Sequence, residues 1–150
     1  MFKKVLLLVS LSTFSLFALD TGDKLPSDTV EILKLKEDKV YIIDFFASWC
    51  KSCKKELPLI SKLNGQIDAQ KTEIIGVDVD EDVEEGKAFQ KELALTFKVI
   101  DDSDNTLIKT FDPVGMPSIF IVKNGEIIGT LIGAKEQIDK QIFRGLKDLK

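Results

Sequence analysis

A chain of 150 residues, 44% hydrophobic and 31% charged, is one domain's worth of ordinary globular composition. A formal charge of −4 without a basic patch speaks against a nucleic-acid partner. The absence of histidine removes Ser-His and Cys-His catalysis and the usual catalytic zinc ligands.

Residues 1–19 differ from the rest. Lys3 and Lys4 precede an apolar run from Val5 to Leu19, broken only by Ser10, Ser12, Thr13 and Ser15, and acids begin at Asp20. This is the layout of a secretory signal peptide, with cleavage expected after Ala18. An uncleaved N-terminal membrane anchor is the alternative, although the run is short for a span. The expected organisation is therefore a signal peptide or anchor over 1–19 and one domain over 20–150. An exported, periplasmic or extracytoplasmic location follows from that reading.

Thr21 to Ser27 reads as an exposed lead-in, and the weak alternation of Thr29 to Leu35 predicts a strand. Glu37-Asp38-Lys39 turns the chain into a strong strand over Val40–Phe46. A helix is predicted from about Cys50 to Leu63, kinked at Pro58 and ended by Asn64-Gly65. A buried strand over Glu73–Val79 and a helix over Asp82–Leu93 follow. Next come a short strand at Phe97–Ile100, an acidic turn at Asp101–Asp104 and a short helix at Thr106–Phe111. Asn124-Gly125 joins Ser118–Val122 to Glu126–Ile132 as a hairpin. Ala134–Leu149 is an amphipathic helix with Ile138, Ile142, Leu146 and Leu149 in its apolar stripe. Strands alternating with helices, then a hairpin, predict an α/β fold: a mixed central sheet flanked by helices on both faces.

Cys50 and Cys53 are the only cysteines. A buried strand delivers them to the first turn of a helix, where positions i and i+3 share a face and the sulfurs can meet. One thiol can then attack a bound disulfide and the other resolve the mixed intermediate. A structural staple is the plain alternative, but a loop this short gains only about 2 kcal/mol in the loop-entropy model, against about 4.7 for a hundred-residue loop. A zinc site lacks ligands unless subunits share it. Cys50, at the helix N-terminus, is the expected nucleophile, and Cys53, one turn deeper, the resolving thiol. Lys51, Lys54 and Lys55 add positive charge there or simply form a solvated face. Trp49 either shields the pair and offers a flat contact or packs as core. Asp44 interrupts an apolar strand six residues before Cys50. It either lies buried beneath the cysteines, where it can relay a proton, or reaches solvent at the strand's end. Glu56, one turn beyond Cys53, either takes a proton from that thiol or pairs with a lysine at the surface.

Asp44-Phe45-Phe46-Ala47-Ser48-Trp49-Cys50-Lys51-Ser52-Cys53-Lys54 resembles the active-site strand and helix of the thioredoxin superfamily. Gly115-Met116-Pro117-Ser118 is similar to its Gly-x-Pro-Thr segment, and Lys123 to Ala134 to its hairpin. Cys53-Lys54-Lys55-Glu56-Leu57-Pro58 resembles the exported, membrane-associated thiol-disulfide reductases of cytochrome c maturation, and Asp80–Leu95 resembles their helix-containing insertion. The resemblance covers residues 25–150. It implies a thioredoxin fold with that extra insertion, a cis Met116-Pro117 bond facing the cysteines, and a substrate segment lying against Trp49, Met116 and Pro117. It also implies protein disulfides, apocytochrome c among them, as substrates, and a membrane thiol reductant as electron donor. No organic cofactor or metal is needed, because the cysteines carry both electrons. Asp44 matches the buried Asp of thioredoxins, and Glu56 the acid of the exported reductases. The Lys51-Ser52 dipeptide departs from the family, whose members carry Pro there. An oxidase or isomerase on the same fold therefore stays open, as does a non-catalytic binding or chaperone module. The Pro-x-x-x-Thr-x-x-Cys wording of peroxidases is missing.

Overall fold

The computed structural model describes residues 18–149. The signal peptide or anchor expected over 1–19 therefore lies, but for its last two residues, outside the described residues. Among the described residues no helix is long and apolar enough to cross a membrane.

The first element corrects the sequence reading. Ser27–Leu33 forms helix α1, not a strand. Thr29 and Leu33, four residues apart, are its buried residues, the spacing of one helical face rather than of a pleat. Pro26 precedes the first turn with φ −55°, and Lys34 ends the helix in the left-handed region.

Strand β1 (Val40–Phe46) is buried at all seven positions, because it sits in mid-sheet with both faces covered. Helix α2 (Lys51–Asn64) follows and runs unbroken through Pro58. Gly65 ends it in right-handed geometry, so this glycine supplies no left-handed cap. Strand β2 (Thr72–Asp78) lies parallel to β1, and strand β3 (Lys98–Asp101) parallel to β2. Between them helix α3 (Val83–Glu92) is capped by Asp82, whose carboxylate accepts the N–H groups of Glu84 and Glu85. Helix α4 (Thr106–Phe111) precedes strand β4 (Ser118–Lys123), which runs antiparallel to β1 and to strand β5 (Glu126–Ile132). Asn124 and Gly125 both have positive φ, as a two-residue hairpin turn requires. Helix α5 (Ile138–Asp148) buries Ile138 and Ile142, while Leu149 lies past its end and is exposed. The sheet order is β3-β2-β1-β4-β5.

Alternation along β1 splits the core in two. Ile43 and Phe45 face the layer of α1 and α4, where the Phe45, Phe111 and Phe120 rings meet at centroid distances of 4.8 to 5.8 Å. Ile42 and Phe46 face α2 and α5, packing with Leu57, Ile60, Ile138 and Ile142. The lead-in lies against the outer side of β5: Gly22 and Leu25 donate to the Ile127 and Gly125 carbonyls, and Ile127 donates to Asp23.

Candidate active site

Because β1 is central and parallel to β2, its C-terminal end opens above the sheet, and α2 starts there. Cys50 is the N-cap of α2: its backbone is extended, and its Sγ accepts the Cys53 N–H at 3.2 Å. The two sulfurs are joined, with the Cα atoms 5.2 Å apart. Cys53 is fully buried, while Cys50 retains 8% exposure at the rim. One sulfur is thus reachable and the other lies beneath it. The unpaired N–H groups and dipole of the helix start favour a thiolate at Cys50 once the bond is reduced. Of the nearby lysines, Lys54 is committed to Glu92 at 2.6 Å, and Lys51 and Lys55 lie on the exposed face.

The segment before β4 faces this rim. Met116-Pro117 is cis, Pro117 is buried, and the Ser118 hydroxyl donates to the Gly115 carbonyl. Trp49, Cys50, Ile108, Pro113, Val114 and Met116 line an open depression of about 440 Å³. Trp49 is 66% exposed and Val114 82% exposed, so Trp49 presents its ring to solvent and is not core packing. A mostly apolar hollow beside a reachable sulfur suits an extended peptide segment.

Both carboxyls singled out in the sequence point inward. Asp44 lies between Ile42 and Phe46 on the α2 face of β1, fully buried, with Gly76 and Ile119 as its cross-strand partners. Glu56 is 4% exposed on the buried face of α2. It does not take the surface lysine pairing that the sequence left open. Among the described residues none of their four oxygens finds a hydrogen-bond partner. Burial raises the Asp44 pKa well above the usual 3.8, and the neighbouring Glu56 charge raises it further. Burial also pushes Glu56 up to about 7, against the pull of the Lys135 backbone N–H, which points toward it without closing a bond of normal geometry.

Sequence reasoning missed the support behind the loop. Asp80 accepts the Ser48 N–H and the Ser48 hydroxyl, both at 2.8 Å, and so fixes the residue before Trp49. Asp78 accepts the Asp80 N–H at 3.0 Å and the Gln90 amide at 2.7 Å. Both acids are buried. The signal was present: Asp78 interrupts the apolar run of β2 as Asp44 interrupts that of β1. The acidic turn is likewise structural, since the buried Asp102 carboxylate accepts the Leu107 and Ile108 N–H groups at the start of α4. Among the described residues no group of three or more Cys, Asp or Glu side chains could hold a metal ion.

Comparison with known proteins places this geometry. The model of the AhpC/TSA family matches residues 12–130. The chain belongs to the AhpC/TSA family. Curated relatives of this AhpC/TSA member include "Thiol-disulfide oxidoreductase ResA" of Bacillus thuringiensis subsp. konkukian, 33% identical over 113 residues, which are 73% of this chain and 65% of the relative. The protein of the same name from Bacillus subtilis is 28% identical over 105 residues, 69% of this chain and 58% of the relative. The chain thus spans less than two thirds of the length of these relatives. Among solved structures, StoA from Bacillus subtilis superposes with a TM-score of 0.65 at 26% identity, covering 73% of this chain and 84% of StoA. A Chlorobium tepidum protein provisionally named thiol:disulfide interchange protein DsbE has a TM-score of 0.74 at 23% identity, covering 87% of this chain and 98% of its own. The mixed five-stranded sheet with flanking helices is the thioredoxin fold of these neighbours, as the sequence resemblance implied.

Proposed function

We propose that this AhpC/TSA member is an exported thiol-disulfide oxidoreductase that reduces disulfides in partner proteins. The observation that carries the reading is the Cys50–Cys53 disulfide itself, with Cys50 at the mouth of α2 opposite the Met116-Pro117 segment and Cys53 buried behind it. The ResA relatives, named as thiol-disulfide oxidoreductases, support the same chemistry.

In the reduced protein, the Cys50 thiolate attacks a client disulfide held along Trp49 and Met116, and one client sulfur leaves as thiolate. Cys53 loses its proton and attacks Cys50 Sγ. The second client sulfur leaves, and the Cys50–Cys53 bond is restored. Two electrons pass to the client, and no cofactor takes part. The finer parts of the proposal are a role in cytochrome c maturation with apocytochrome c as client, and a membrane thiol reductant that regenerates the dithiol. Residues 1–19 serve as export signal or tether in the same reading, with 20–150 as the working domain.

Cys50→Ser is expected to reduce a model protein disulfide no faster than buffer, and Cys53→Ser to accumulate a mixed disulfide whose partner mass spectrometry identifies. Wild-type turnover by Cys50→Ser would overturn the assignment. The direction of flow is read from the reduction potential: about −270 mV or lower fits a reductant, whereas about −120 mV assigns an oxidant instead.

A further inference from the structure

We propose that Asp78 and Gln90 are positioning residues for client binding, acting from helix α3 through Asp80 and Ser48 to hold Trp49 over the thiol mouth. The proposal rests on the oxidoreductase reading and deepens it.

The path runs inward from the mouth through hydrogen bonds. The Ser48 N–H and hydroxyl donate to the two oxygens of Asp80, the Asp80 N–H donates to Asp78 Oδ1, and the Gln90 amide donates to Asp78 Oδ2. All four carboxylate oxygens are thus engaged along one line, from α3 to the residue before Trp49. Helix α3 holds that line at further points. Glu85 offers the Ser48 hydroxyl a second acceptor at 3.3 Å, and the Gln90 amide also reaches Asp101 of β3 at 3.2 Å. Gly86 lies so close that a Cβ there would stand 2.7 Å from Asp78 Oδ2.

The cost of this line points to its use. Asp78 and Asp80 are both buried, and among the described residues neither has a salt bridge. Burial and the nearby Asp80 charge both disfavour the ionised Asp78. Apolar side chains of the same shape would join β2 to α3 at least as well. What the two acids add is direction: each bond fixes the next backbone group, and the last fixes the turn under Trp49.

The sulfur chemistry is held separately. The Cys50 N–H donates to the Ala47 carbonyl and the Lys54 N–H to the Cys50 carbonyl, both at 3.1 Å, while Cys50 Sγ accepts the Cys53 N–H. None of these bonds passes through Asp78, Asp80 or Gln90. Trp49 is exposed, so the turn beneath it sets where its ring stands. A client that meets a ring already in place avoids the cost of ordering it. Loosening the line therefore weakens client binding and leaves the attack on bound client unchanged.

The test has its own reporter, since Trp49 is the one tryptophan of the chain. Gln90→Leu removes the amide, and Gly86→Ala pushes the Asp78 carboxylate aside without deleting a polar group. Each reduced variant is mixed with a synthetic peptide carrying one disulfide, over a range of peptide concentrations. Both are expected to need about two- to tenfold more peptide for half the maximal rate, the usual scale for ordering one contact side chain, with the maximal rate unchanged. In the oxidised protein without peptide, the fluorescence anisotropy of Trp49 should fall in both. Asp78→Asn is the conservative rescue. Its amide keeps the Asp80 bond and, with Gln90 turned over, the Gln90 bond, so both readouts should stay at the wild-type value, whereas Asp78→Ala moves both. Tyr41→Phe loses the Lys36 N–H bond at the far end of β1 and should move neither. An unmoved half-rate concentration in Gln90→Leu and Gly86→Ala, a maximal rate that falls in step with affinity, or an equal response in Tyr41→Phe overturns the proposal. If wild type attacks no disulfide while the anisotropy changes appear, the oxidoreductase reading fails, and with it the client, while the hold on Trp49 stands.

Discussion

Asp78 illustrates how a single buried acid can tune this molecule. Its carboxylate is 2% exposed, and burial pushes its pKa from the usual 3.8 to about 6, despite donation from Gln90 and from the Asp80 N–H. The folded state therefore holds this proton more tightly than the unfolded chain does. Its stabilising contribution is complete below about pH 4 and lost as pH rises through about 6. Asp78→Asn is expected to flatten the stability profile across that window in urea titrations at pH 4 and pH 7, with Gln90 turning its amide oxygen toward the new NH2. An identical profile in the variant would assign the dependence elsewhere. The two cysteines were legible in the sequence because disulfide chemistry demands them at fixed spacing, and Asp44 takes the inward of the two placements that the strand pattern left open. Asp78 carried a signal as an acid in an apolar run, but Asp80 did not, because nothing in a local stretch says that a carboxylate just past a strand's end bonds a loop 32 residues earlier.

Elements were readable where the hydrophobic period was strong. The run of β1, the hairpin and the stripe of α5 each carry a pattern that only one conformation buries. Helix α1 was not, since seven residues with two buried positions fit a weak alternation as well as a short helical face. Its decision comes from tertiary contact, with Leu33 fully buried under the sheet. Strand β2 adds a requirement that no pattern announces. Gly76 lets the Phe46 and Phe97 rings close over the sheet, and a Cβ there would approach each within 2.8 Å. Gly76→Ala is expected to lower stability by about 1–3 kcal/mol through overpacking, measured as a shift of the urea midpoint at constant slope. No shift would mean that the rings move aside freely.

At the scale of the molecule, one sheet serves two cores, and β1 contributes alternate residues to both. The halves should therefore melt together. Phe120→Ala on one side and Ile60→Ala on the other are each expected to cost about 2–5 kcal/mol while leaving one transition, coincident by near- and far-ultraviolet dichroism. Two transitions would separate the layers. The lead-in along β5 has a consequence for crowding. A sheet rim with free amides invites cross-molecular pairing, and open α/β sheets are vulnerable there. One rim is already occupied over Gly125–Ile127 by the molecule's own Gly22–Leu25 stretch. The other, β3, is four residues long and carries exposed Lys98 and Asp101 at its ends. Copies packed densely together thus find the start of the β5 rim closed to zipping and the opposite rim short and charged, with the thiol mouth left open.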